Sequence, residues 1–419
     1  MSSLFNYFIE YNRYLNIVGI IVIIAIAALF SRKRQHINVR LIINALFIQF
    51  LIGLAVLKTT IGEQIVEKIS LGISKVYLFA QEGITFVFGK LADPTGSWGF
   101  IFAIRVLPVI IFFGALTALC FHWGIIQKLV QGISFIVRPL LRTSGAETIC
   151  AIANSFLGQT EAPLLIRNYL QGMTKSEMLV VMVSGMATIS GSILVVFAAM
   201  GVPAKHLLAA SVMSIPASIM IAKILYPETE VPQTSGETEV TVKPTSSNSF
   251  DAIATGTIDG LHLAVNVAAM LIAFIALIAM INHILAFASE QANLLFNLQM
   301  PFMSLNLIFS YLFAPFGYLL GFTGTDALIA GQLLGTKVAI NELIAYGQMI
   351  AMQLPERVVN IMTYALCGFS NFSCIGIQVG GIGALVPEKR HWLTEFGLYA
   401  VLGGALSNLL TAMVAGLLI

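Results

Sequence analysis

Residues 154–163 read NSFLGQTEAP, and they sit in the middle of a stretch, 145–172, that is apolar at both ends. Asn, Ser, Gln, Thr and Glu within ten positions cannot belong to a straight helix facing lipid, because hydrocarbon offers their polar groups no partner. A second stretch, 325–352, is built the same way around GTKVAINE (335–342). Backbone breaks at membrane depth only where protein or a watery cavity satisfies it. Each stretch therefore reads as a re-entrant hairpin with its polar tip inside the protein. Pro163 suits the first turn of a new half-helix after the first tip.

The composition around these two stretches agrees with a bilayer as solvent. Of 419 residues 58% are apolar and 10% charged, against about 25% charge in soluble globular chains. A net charge of +2 supplies no basic field for nucleic acid. The four cysteines, Cys120, Cys150, Cys367 and Cys374, have no CxxC spacing and no histidine cluster beside them, which excludes a disulfide framework or a zinc site. No HExxH, GxSxG or paired catalytic aspartate motif occurs, so an enzyme is not expected. The basic run Arg32, Lys33, Arg34 follows the first apolar stretch rather than preceding it, as in a retained span and not a cleaved signal.

A helix needs about 20 apolar residues to cross the hydrocarbon core. Eight stretches meet this: 13–31, 41–58, 100–122, 176–200, 206–226, 256–285, 358–385 and 396–418. Three more, 62–92, 124–141 and 300–320, are interrupted by charge or by Pro315 and Gly317 and read as helices lying in the interface. Under the eight-span count, Arg32 to Arg40, the Lys128–Arg142 stretch and Lys389–Arg390 all fall on one side. The positive-inside rule makes that side the cytoplasm and puts both termini outside. The segment PETEVPQTSGETEVTVKPTSSNSF, 227–250, is too polar to pack and reads as a flexible linker.

The expected organisation is thus an all-α membrane protein in four parts. Residues 1–99 hold two spans and an interfacial helix, 100–226 a first repeat, 227–255 the polar cytoplasmic linker and 256–419 a second repeat. Each repeat runs span, surface helix, hairpin, span, span. Three crossings per copy is odd, so the second copy is inverted, as in many secondary transporters with a site at the midplane.

Four polar clusters lie at membrane depth. In the first, Asn154, Gln159, Thr160 and Glu161 surround the open tip, and the plainer reading makes Thr160 or Glu161 a helix cap. The second, GMATISGS (185–192), allows the fourth span to unwind or simply to pack closely. The third contains Lys337 and Glu342, which as a plain ion pair would only close the hairpin. The fourth, GFSNFSC (368–374), gathers Phe369, Asn371 and Ser373 in the seventh span, where Asn can serve as interhelical glue. Two carboxylates, two amides and a hydroxyl beside one cation disfavour a phosphorylated solute, which needs clustered Arg or a positive nest. They suit sugar hydroxyls and base edges, with Phe369 for stacking.

At these clusters the chain resembles the concentrative nucleoside transporter family, in its bacterial NupC-type branch. The strings that carry the resemblance are GQTEAPLLI (158–166), MATISGSIL (186–194), AAMLIAFIALIAMIN (268–282), GTKVAINELIAY (335–346) and ALCGFSNFSCIGIQVGGIG (365–383). The resemblance implies a homotrimer in the bacterial inner membrane, with nucleoside held between the two hairpins and broken fourth and seventh spans. It implies base contacts from Gln159, Thr160 and Glu161 with Phe369 nearby, and ribose contacts from Glu342 and Asn371. A family serine at the ribose falls on Cys374, a weaker hydrogen-bond partner. It implies a co-transported sodium ion at Asn154, Leu157, Thr188 and Ile189. Retention of the amide at Asn154 favours sodium over the proton used by some relatives. The rival classes are a proton-coupled symporter of the same fold and, more remotely, a channel or other membrane protein.

Overall fold

The structure is a computed structural model describing residues 2–93, 96, 98, 99, 101–235, 246–296 and 301–419. All its regular elements are helical. A short α1 (Ser2–Ile9) passes through left-handed Tyr11 and Asn12 into α2 (Arg13–Leu29). Next come α3 (Val39–Lys58) and α4 (Thr60–Phe88). Thr59 alone separates these two, and its side chain accepts from Gly62 N, so the chain turns sharply there.

The following unit comprises α5 (Phe102–Arg105), α6 (Leu107–His122), α7 (Ile125–Leu141), α8 (Gly145–Ala153), α9 (Ala162–Leu165), α10 (Arg167–Leu170), α11 (Lys175–Ala187), α12 (Gly191–Ala199) and α13 (Ala204–Leu225). The last comprises α14 (Ser249–Phe296), α15 (Leu305–Leu319), α16 (Gly324–Ala339), α17 (Glu342–Ala351), α18 (Glu356–Leu366), α19 (Phe372–Leu385) and α20 (Arg390–Leu418).

Seven helical stretches among the described residues are long and apolar enough to cross a membrane: Asn6–Leu29, Val39–Lys58, Phe102–His122, Lys175–Ala199, Ala204–Leu225, Ser249–Phe296 and Pro387–Leu418. The remaining expected crossing, 358–385, is present as α18 and α19, 11 and 14 residues long and each too short to cross alone. The expected span 176–200 is also divided, into α11 and α12, by three non-helical residues, 188–190. The stretches 62–92, 124–141 and 300–320 appear as α4, α7 and α15. The bend between α15 and α16 is 114°.

Two departures have plain causes. The span expected at 256–285 lies inside a helix of 48 residues, about 72 Å at the α-helical rise. Its flanks carry Asp251 and Glu290, so apolar character ends before helical geometry does. Its first turns occupy 249–255, inside the expected linker, because Asn248 Oδ1 accepts from Phe250 N and Asp251 N. Of the rest of that linker, 236–245 lies outside the described residues, while Thr234 is 1% exposed and docked rather than free. It accepts from Gly145 N through its carbonyl and from Ala146 N through its hydroxyl, supplying partners for unpaired donors at the start of α8.

Burial separates a centre from a periphery. The apolar windows of α11–α12 and α13 are each 89% buried, and that of α14 is 6% buried. α14 packs on α6 through small residues: a Cβ on Gly256 would fall 2.5 Å from Gly114 O and one on Gly260 2.8 Å from Ile110 O. Both α8 and α11 begin with capping boxes, Ser144 with Glu147 and Thr174 with Glu177. Lys223 of α13 joins them, 2.7 Å from Glu147 and 3.1 Å from Ser176 Oγ.

Candidate functional site

The two breaks face each other at the centre. Beyond α11, Thr188 is extended (φ −125°, ψ 168°) and Ser190 caps α12 through Ile193 N. Beyond α18, Asn371 caps α19: its Oδ1 accepts from Cys374 N at 3.1 Å and from Ser373 Oγ at 2.6 Å. Phe369 N donates to Thr188 O across 3.3 Å, joining one break to the other. The tip between α8 and α9 is fastened to the start of α12 by Gly191 N donating to Phe156 O. Polar residues that a lipid-facing helix would not tolerate thus spend their hydrogen bonds on each other's backbone.

Both polar-tipped segments converge on the start of α19. From α17, Glu342 Oε2 accepts from Asn371 Nδ2 at 3.1 Å. From the first tip, Gln159 Nε2 donates to Cys374 Sγ at 3.3 Å. A Cβ on Gly381 of α19 would lie 2.6 Å from Thr160 Cγ2, so tip and helix touch. Gln159, Glu342, Asn371 and Cys374 are buried, Thr160 and Phe369 half-buried, and Glu161 exposed, accepting from Thr160 Oγ1 at 3.2 Å. Glu161 occupies the cap position of α9, with Pro163 in its first turn, yet makes no capping bond. The plain capping role is therefore not what places it. Lys337 does not pair with Glu342 either, since its Nζ donates to Ala365 O at 2.9 Å and Asn408 Oδ1 at 2.6 Å. That leaves the Glu342 carboxylate and the Gln159 and Asn371 amides converging on the start of α19, groups of the kind that can accept from sugar hydroxyls and pair with the edge of a heterocycle.

Asn154 and Thr188 meet where the first tip joins the α11–α12 break, and Leu157 and Ile189, in the same two segments, are buried like them, each at most 3% exposed. Thr188 Oγ1 lies 2.9 Å from Asn154 O and from Ser184 O. Asn154 Nδ2 donates to Ser184 Oγ at 2.9 Å, but its Oδ1 is buried without a donor. An unpaired amide oxygen beside unwound backbone is the chemistry a sodium ion takes, being a hard cation held by oxygens. As cargo, sodium fits these residues.

Two residues that tie this arrangement together escape the sequence reading. Asn408 of α20 donates to Ala187 O and to Cys367 O, both at 2.7 Å, and accepts from Lys337 Nζ. One side chain thus holds both breaks and α16. Gln378 of α19 donates to Gln159 Oε1 at 3.1 Å and to Met182 O at 2.9 Å. Each is the one amide side chain of its helix, set in an apolar run (SNLL, GIQVGG). The only sequence signal for either is the cost of burying an amide.

Comparison with known proteins fits this geometry. Residues 18–91 and 206–416 match the family described as Na+ dependent nucleoside transporter, N-terminus and C-terminus, and 103–204 match one described as nucleoside recognition. An uncharacterised transporter of Haemophilus influenzae is 41% identical over 96% of this chain and 97% of its own length. Nucleoside permease NupC of Helicobacter pylori is 38% identical with the same coverage. CNTnw in an inward-facing substrate-bound state superposes with TM-score 0.90 at 38% identity over 97% of each chain. A CNTnw variant in an outward-facing state gives 0.89, so the likeness is to the fold and not to one conformational state. With its breaks, tips and apolar helices in this arrangement, the chain belongs to the concentrative nucleoside transporter family, bacterial NupC-type, as a multi-pass membrane transporter and not an enzyme.

Proposed function

We propose that this transporter is a sodium-coupled symporter importing nucleosides of the uridine type across the bacterial inner membrane, as a homotrimer with both termini outside. Gln159, Thr160 and Glu161 meet the base with Phe369 beside it, Glu342 and Asn371 hold the ribose, and Cys374 makes a weaker contact there. Sodium takes the side-chain oxygens of Asn154 and Thr188 and the backbone oxygens of Leu157 and Ile189. The observation that carries this reading is the direct bonding of groups from both tips to the start of α19, Glu342 to Asn371 and Gln159 to Cys374.

In this reading α11–α12 and α18–α19 are broken fourth and seventh crossings among eight, and 100–226 and 256–419 are inverted copies joined by 227–255. Residues 1–99 contribute the first two crossings and the interfacial α4. Thr188 and Asn154 bind the ion on the same break whose Thr188 carbonyl receives Phe369 N. Sodium ordering this break therefore raises nucleoside affinity, and nucleoside raises sodium affinity by the same factor. The hairpins and half-helices then carry both solutes inward together.

Equilibrium binding of labelled uridine to purified Glu342→Gln tests the site. Loss of the charged acceptor for ribose hydroxyls lowers affinity about tenfold or more. Wild-type affinity in that variant contradicts the assignment.

A further inference from the structure

Gln378 is assigned no contact with ion or nucleoside in the proposed function, yet it is 0% exposed and touches the candidate base-reading amide. Its Nε2 reaches two acceptors, Met182 O at 2.9 Å and Gln159 Oε1 at 3.1 Å. A carbonyl oxygen only accepts, so the nitrogen of Gln378 has to face Met182. Its second hydrogen then has to find an acceptor on Gln159, which fixes the oxygen of Gln159 toward Gln378 and its nitrogen away. That nitrogen points toward Cys374 Sγ, 3.3 Å off, at the start of α19 where the solute is read. An NH2 group carries two hydrogens, so one remains to meet the solute.

Two further observations support a purpose for this arrangement. Gln378 Oε1 is buried with no partner, a cost that an apolar residue in the same place would not carry. Gly185 makes room for the pair, since a Cβ there would stand 2.9 Å from both Gln159 Cβ and Gln378 Nε2.

We infer that Gln378 is a specificity-determining positioning residue: it locks the Gln159 amide so that the site shows the nucleobase a hydrogen-bond donor, selecting a base with a carbonyl oxygen over one with an amino group at the edge remote from the sugar. This rests on the reading of Gln159 as a base contact. Uridine is then preferred to cytidine, and inosine to adenosine.

The test is competition against labelled uridine on the purified full-length chain in sodium buffer, with these four nucleosides as unlabelled competitors. Wild type binds cytidine about tenfold more weakly than uridine, the worth of one hydrogen bond exchanged for an unpaired donor. In Gln378→Met the amide can turn either face to the base, and the uridine-to-cytidine ratio falls toward one, whereas a merely structural role would weaken both nucleosides alike. Gln159→Glu shows the base an acceptor and shifts the ratio toward cytidine. Equal competition in wild type, or an unchanged ratio in a Gln378→Met chain that binds uridine, overturns the inference. Should Gln378→Met bind no uridine, Gln159→Glu decides it, an unchanged ratio overturning and a shift to cytidine supporting. Gln159→Ala separates the premise: unaltered affinity for both nucleosides removes the base contact itself. If instead Gln159→Ala weakens both while Gln378→Met keeps the wild-type ratio, only the locking role fails.

Discussion

At the scale of single residues, the amide of Asn154 divides its labour. Its nitrogen is spent on Ser184 and its oxygen is left over. Leaving a buried acceptor unpaired costs about 1–3 kcal/mol, and in the proposed function a co-transported sodium ion is the partner that removes the cost. Asn154→Ala is expected to keep the fold, because Thr188 still bonds Asn154 O through the backbone. It raises the sodium concentration needed for half-maximal uptake about tenfold while leaving uridine affinity at saturating sodium within a factor of a few. A sodium titration of uptake checks this, and an unchanged titration removes the cation from that oxygen. Asn154 was legible in the sequence because it stood with other polar residues in an apolar stretch. Asn408 and Gln378 were not, since a single amide among Leu, Val and Gly looks the same whether it is glue or machinery. Only its partners tell the two apart.

At the scale of elements, broken helices need something to hold their loose ends. The carbonyls that end α11 and α18 are orphaned by the breaks, and Asn408 of the unbroken α20 supplies one donor to each while anchoring Lys337 of α16. Asn408→Leu therefore strands two carbonyls and removes a partner of the buried Lys337 amine. About 2–5 kcal/mol of stability is lost, seen as a fall in the detergent unfolding midpoint. Asn408→Asp is expected to lose stability as well, because it keeps the acceptor for Lys337 but sets a carboxylate oxygen against the two carbonyls in place of the amide donor. An unfolding midpoint in Asn408→Leu equal to wild type contradicts the tie. Of the two breaks, the one at 185–192 was open to reading from the residues, since Gly, Ser and Thr there permit either unwinding or close packing, whereas the one at 368–374 was implied only by the family resemblance. The length of α14 could not be read, because hydropathy records the thickness of the hydrocarbon and not where intrahelical bonding stops. Nor could the docking of Thr234, whose burial answers a need of α8 rather than any apolar character of its own.

At the scale of the whole molecule, the peripheral helices and the buried centre do different work. α14 keeps its apolar window 6% buried while α11–α13 bury 89% of theirs. This division suits a stationary frame around a part that moves. The elements that carry the candidate solute and ion residues, the two tips and the two breaks, are bonded to one another, Glu342 to Asn371, Gln159 to Cys374, Phe369 N to Thr188 O and Gly191 N to Phe156 O. In the proposed mechanism these bonds let them move as one body with ion and nucleoside aboard, which is the physical content of coupling. The most direct test is uptake of labelled uridine into proteoliposomes of the purified chain, comparing an inward sodium gradient with an inward proton gradient at matched membrane potential. The account predicts accumulation above equilibrium with sodium and none with protons alone. Accumulation driven only by protons, or equilibration without concentration under either gradient, would contradict it.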